Sequence, residues 1–133
     1  MGLTDTRFTN PHGLDDVSLY SSAHDMAIMG QQLLRNPDLA EIAGTRDYQP
    51  GWDEPALKNL NLLLGFYPGA IGVKTGFTDL AGQTIVGAAE RDGRRIIVSV
   101  MGAQTEIYGD ASALLDWAFD ETNSACAPVR PSP

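Results

Sequence analysis

Apolar residues recur along this chain with two different periods, and the change from one to the other divides it into elements. Ala23, Met26, Ala27, Met29, Gly30, Leu33 and Leu34 return at the spacing of one helix face. Ser22 precedes them with Asp25 three positions on, a variant of the capping box, so a helix is predicted over about residues 22–35. Asn36-Pro37 stops it, because the residue before a proline avoids the helical region, and Asp38 to Ala43 adds a short helical turn. From Gly44 to Pro68 the chain carries Pro50, Gly51, Pro55, Gly65 and Pro68 among aromatic residues, which predicts an irregular segment with at most short strands.

Gly69 to Thr75 then reads as a short strand ending in Gly76. Two further apolar runs, Gln83 to Glu90 and Arg94 to Met101, flank Arg91-Asp92-Gly93, and Asp-Gly between strand formers predicts an antiparallel hairpin. A helical period returns at Ile107, Ala111, Leu114, Leu115, Ala118 and Phe119, after which residues 120–133 read as a flexible tail. Residues 1–20 hold Asn10-Pro11-His12-Gly13 and Asp15-Asp16, the chemistry of a structured loop. The expectation is an α+β fold: a three-stranded antiparallel sheet with a C-terminal helix packed on it, plus an N-terminal loop and helix.

Composition narrows the function. A length of 133 residues with 43% hydrophobic content suits one domain with a modest core. The net charge of −8, with nine Lys and Arg scattered along the chain, argues against a nucleic-acid partner, which needs a basic stripe. The single cysteine, Cys126, lies among Ala, Pro and Ser, where it can form neither an internal disulfide nor a metal cluster; no metal and no cofactor are expected. No run approaches the roughly 18 apolar residues of a membrane span, and the N-terminus lacks the pattern of a signal peptide.

Chemistry concentrates at Lys74-Thr75-Gly76, which stands at a predicted strand end. Lys-Thr-Gly forms a signature set with Ser-x-x-Lys and Ser-Asp-Asn in β-lactamases and penicillin-binding proteins. Alone, three residues are explained as well by an ordinary strand running into a turn. Their surroundings add to them: Asn10-Pro11-His12-Gly13-Leu14, then Tyr20-Ser21-Ser22-Ala23 with Asp25, then Asn59-Leu60-Asn61-Leu62-Leu63, then Gly72 to Thr78 with Ala81-Gly82. Leu114-Leu115-Asp116-Trp117-Ala118-Phe119 follows. In this order the segments resemble the D-alanyl-D-alanine carboxypeptidases of peptidase group S11, and the resemblance runs over about residues 1–119.

The resemblance implies part of a β-lactamase/transpeptidase-like fold and a serine-type carboxypeptidase of peptidoglycan metabolism. Its partners would be a stem peptide ending in D-Ala-D-Ala, and β-lactams. Lys74 and Thr75 would bind the peptide's terminal carboxylate, Gly76 would let its backbone approach, and Thr78 matches a position near the cleft, with a turn hydroxyl as its alternative role. The main-chain N–H of Phe77 or Thr78 would serve an oxyanion. Family members work in the cell envelope, and residues 120–133 would lie beyond the catalytic domain.

The chain departs from the family pattern in one respect. No serine here has Lys three residues on or Asn two residues on, and Lys58 and Lys74 are the only lysines. The chain is therefore read as a fragment that holds the binding strand, with the acylating serine and its lysine base in a missing N-terminal half. The catalytic set within it is empty. A noncatalytic binding module and a structural remnant are the alternatives. A fragment of this kind should also leave a strand edge open at about residues 94–102. His12 reads as a turn residue, His24 as part of the first helical turn, Asp25 as a cap, and the Asn59 and Asn61 amides as loop ties.

Overall fold

A helix leaves backbone groups unpaired at both ends, and short polar side chains decide where those ends fall. In the computed structural model, which describes the backbone of residues 1–125 and the side chains of residues 1–120, helix α1 spans Ala23–Arg35. The Ser22 hydroxyl accepts the Asp25 N–H at 3.1 Å, the first half of the predicted box. Asn36 then closes α1 with its own N–H on Leu33 and opens α2, Pro37–Gly44, by accepting the N–H groups of Asp38 and Leu39. The predicted stop and the helical turn after it thus share one residue.

The irregular stretch holds a two-stranded ribbon, β1 (Asp47–Tyr48) and β2 (Leu57–Lys58), and one helical turn, α3 (Leu63–Phe66). Three antiparallel strands follow, β3 (Ala70–Thr78), β4 (Gly82–Arg91) and β5 (Arg94–Ala103), in the order β3-β4-β5. Asp92 and Gly93 both take positive φ, 51° and 73°, the two-residue turn that Asp-Gly predicted. Helix α4 runs Ile107–Ala125, past the end predicted at Phe119, so the tail does not begin at residue 120. Residues 126–133, with Cys126, lie outside the described residues.

Residues 85–89 of the central strand are buried in succession, because both faces of the sheet are covered. Ile85 and Ala89 pack with Leu63, Val98 and the α4 residues Ile107, Ala111, Leu115 and Phe119. Val86 and Ala88 join Leu34 of α1 and Val73 on the opposite face. The sheet is thus a middle layer, with α4 on one side and α1 and α2 on the other. β3 and β5 each pair with β4 alone among the described residues, so β5 has the open edge expected of it and β3 has one too.

Arg91 fastens the α4 face. Its guanidinium lies 4.6 Å from the ring centroids of both Tyr67 and Phe119, and it donates to the Pro68 carbonyl. Tyr67 donates to Asp116 at 2.6 Å, and burial, then that carboxylate, pushes its hydroxyl up to about 12. Arg91→Met keeps the bulk and removes the cation and its donors. It should lower unfolding stability by about 1–3 kcal/mol in a denaturant titration, and an unchanged midpoint would refute the staple.

Candidate functional site

β3 carries Lys74, Thr75 and Gly76 along a sheet edge that no strand covers among the described residues. Lys74 is exposed, and its ammonium donates to the Thr75 carbonyl. Gly76 pairs with Thr84 of β4, whose hydroxyl donates to the Gly76 carbonyl at 3.3 Å. That carbonyl therefore faces β4. Backbone groups of successive residues point to opposite edges of a strand, so Thr75 and Phe77 turn their N–H and C=O groups to the open side. Of the two N–H groups the sequence left open, the one facing outward is that of Phe77.

Thr78 ends the strand. Its hydroxyl accepts the Ala81 N–H at 3.1 Å and so closes the turn between β3 and β4, while the Leu80 N–H reaches Asp15 at 3.4 Å. The turn role available to Thr78 is realised here. Asp15, part of the loop chemistry read from sequence, ties the N-terminal loop to the turn after the motif. Two grooves formed by the described residues lie elsewhere: one borders Leu34, Ala40 and Ile71, the other Ile42, Tyr48 and Leu57. Neither is lined by Lys74, Thr75, Gly76 or Thr78. The motif sits on a strand edge that no other strand covers among the described residues.

The supporting polar residues act as ties. Asn59 donates to the carbonyls of Ala43 and Thr45 and accepts the Asn61 N–H, and Asn61 in turn accepts the Leu63 N–H at the start of α3. His12 accepts the Leu14 N–H through Nδ1, and Gly13 beside it has φ +74°. A ring nitrogen spent on a turn suits the role read from sequence.

Asp25 does more than its place beside a cap suggested. It is 1% exposed, and its carboxylate accepts the Thr6 hydroxyl at 2.7 Å and the Asp5 N–H at 2.9 Å, binding the N-terminal segment to α1. The Thr6 hydroxyl, with help from the Asp5 amide and from His24, holds the carboxyl below the usual carboxylate range against the opposing effect of burial. A lowered folded value means that ionised Asp25 adds stability in full above the unfolded value of about 3.9, and that this contribution is lost as pH falls through the folded value. Asp25→Asn should therefore melt below the wild type at pH 7, with the gap closing as pH drops below about 4. A gap that stays constant across pH, followed by circular dichroism, would contradict this.

Comparison with known proteins gives the arrangement a context. The sequence profile of the peptidase S11 family, described as D-alanyl-D-alanine carboxypeptidase, matches residues 1–105. D-alanyl-D-alanine carboxypeptidase DacF of Bacillus subtilis is 40% identical over 126 residues, which cover 91% of this chain and 32% of that protein. DacB2 of Mycobacterium tuberculosis is 39% identical over 129 residues, covering 90% and 44%. Among solved structures, a Streptomyces DD-transpeptidase superposes with a TM-score of 0.83 at 30% identity, over 90% of this chain and 49% of that one. A D-alanyl-D-alanine carboxypeptidase from Mycobacterium tuberculosis gives 0.79 at 38% identity, over 90% and 48%. The chain spans half or less of the length of each of these proteins.

Proposed function

This chain belongs to the D-alanyl-D-alanine carboxypeptidase family, peptidase S11, and from that premise we propose that it supplies the substrate-holding edge of a serine-type carboxypeptidase acting on peptidoglycan stem peptides. A peptide ending in D-Ala-D-Ala lies along β3 as an added strand. Lys74 leaves the Thr75 carbonyl to meet the terminal carboxylate, and the Thr75 hydroxyl adds a directed hydrogen bond. The outward N–H of Phe77 polarises the scissile carbonyl. Gly76 presents no side chain to the incoming backbone, and Thr78 shapes the end of the edge through its turn. The acylating serine and its lysine come from sequence beyond these residues, since no serine here has the required spacing. The substrate would put the working protein in the cell envelope.

The observation that carries this reading is that the Lys74-Thr75-Gly76 motif lies on the free edge of a strand, its ammonium exposed. The test is a titration of the chain with an N-acetylated peptide ending in D-Ala-D-Ala, followed residue by residue by NMR. Saturable shifts at Lys74, Thr75 and Phe77 are expected with the free acid and should vanish with the C-terminal amide. Equal response to acid and amide would overturn the carboxylate assignment. A fluorescent penicillin should leave no covalent label on this chain alone. A label would mean that the nucleophile is internal after all, and saturable binding without a label is what the noncatalytic reading requires.

A further inference from the structure

We propose that Thr84, which lies outside the family motif, is a positioning residue for the Lys74-Thr75-Gly76 edge: its hydroxyl holds the Gly76 carbonyl on the β4 side and its bulk is what requires glycine at position 76. This rests on the reading of β3 as a peptide-binding edge and adds the device that orients it. Two observations meet at Thr84. Its hydroxyl donates to the Gly76 carbonyl at 3.3 Å, and a Cβ built on Gly76 would lie 2.7 Å from the same oxygen. Any larger residue at 76 must expel the hydroxyl from the carbonyl that it binds. The motif glycine thus lets the Thr84 hydroxyl keep its place, apart from any ligand.

The neighbouring strand leaves Thr84 free for this. The register of β4 with β5 runs from Gln83↔Ala103 to Ile85↔Val100, so Met101 and Gly102 together oppose Thr84 in a bulge, with Gly102 at φ +71°. A bulge re-aims the side chains around it and sharpens the local twist, and such irregularities recur beside functional sites. A hydrogen bond that pins the Gly76 carbonyl inward also fixes which residues of β3 face outward. Without it, the alternation that presents Thr75 and Phe77 to the open edge loses a constraint at its midpoint.

The test needs no ligand. Amide hydrogen exchange is measured by NMR on the chain and on T84V, which keeps the shape and removes the hydroxyl. The amides of Lys74, Gly76 and Thr78, which face β4, should exchange about fivefold faster or more, the change expected for one lost hydrogen bond, while those of residues 86–89 keep their wild-type rates. T84S should restore protection. Unchanged exchange at Lys74, Gly76 and Thr78, or equal acceleration in every strand, would overturn the proposal. In parallel, G76A should lower the melting temperature, and the double variant G76A/T84A, in which the clashing oxygen is gone, should recover most of the loss. A double variant no better than G76A alone would also overturn it. These outcomes are read without any peptide, so a failure of Thr84 to order the edge and a failure of the edge to bind D-Ala-D-Ala are told apart.

Discussion

Replacing Lys74 with alanine, in a polypeptide that also carries the acylating serine, is expected to slow β-lactam acylation about 10- to 100-fold, the effect of losing a hydrogen bond to a charged group. The side chain is exposed and touches its own Thr75 carbonyl, so nothing in the core depends on it. The same substitution should therefore change folding stability by no more than about 0.5 kcal/mol, the usual range for a surface site. That separation is the diagnostic part of the result. A structural lysine would lose stability and activity together, whereas a carboxylate-binding lysine loses only activity. Arginine should restore part of the rate at best, since its planar fork presents donors in a different geometry from a single ammonium. Acylation by K74A at the wild-type rate, read from labelling with a fluorescent penicillin, would remove Lys74 from the site.

Leu115→Ala should have the largest effect on folding. Leu115 is fully buried in the layer between α4 and the sheet, among residues that include Ile85, Val98 and Leu63. Truncating such a leucine removes its burial energy and leaves a cavity, a combined cost of about 2–5 kcal/mol. Domains of this kind have in total about 5–15 kcal/mol, so the variant would approach the threshold of unfolding. Its neighbour provides the control. Leu114 is 41% exposed on the same helix, and Leu114→Ala should cost a fraction of that. Chemical denaturation of both variants checks the pair: similar losses would mean that α4 does not seat Leu115 against the sheet.

Much of the fold could be read from local sequence because local chemistry sets it. Ser22 caps α1, Asn36-Pro37 separates α1 from α2, and Asp92-Gly93 makes the hairpin turn, each through bonds spanning a few residues. The period of Ile107, Ala111 and Leu115 marked the buried stripe of α4 but not the helix's end. Repeating apolar positions show a face, whereas a helix terminus depends on caps, and none was evident after Phe119. The short strands allowed for between Gly44 and Pro68 could not be placed, and the turn of α3 escaped, for a related reason: elements this brief are too short to show a period.

The Lys-Thr-Gly motif was equally plain as residues, and its surroundings were not. Lys74-Thr75-Gly76 and its flanking segments sufficed to point to the family. Asp25 was read as a cap because its spacing from Ser22 is local, yet the partners of its carboxylate, Asp5 and Thr6, are brought to it across the N-terminal loop. Thr84 meets Gly76 only through the β3-β4 register, and counting back across the hairpin from the turn would have been the one signal available.

The sequence by itself determined the family, where the helices and the hairpin begin, and that no serine in the chain has the spacing of an acylating nucleophile. Only the tertiary structure decided that α1 and α4 cover opposite faces of the sheet, that β3 lies at its border, and that Phe77 rather than Thr78 offers its N–H outward. The physical reason is the range of the interactions. Caps, turns and periods are set by bonds between near neighbours, whereas faces, edges and backbone direction depend on which distant segments pack together, and that is settled by burial and pairing over the whole chain.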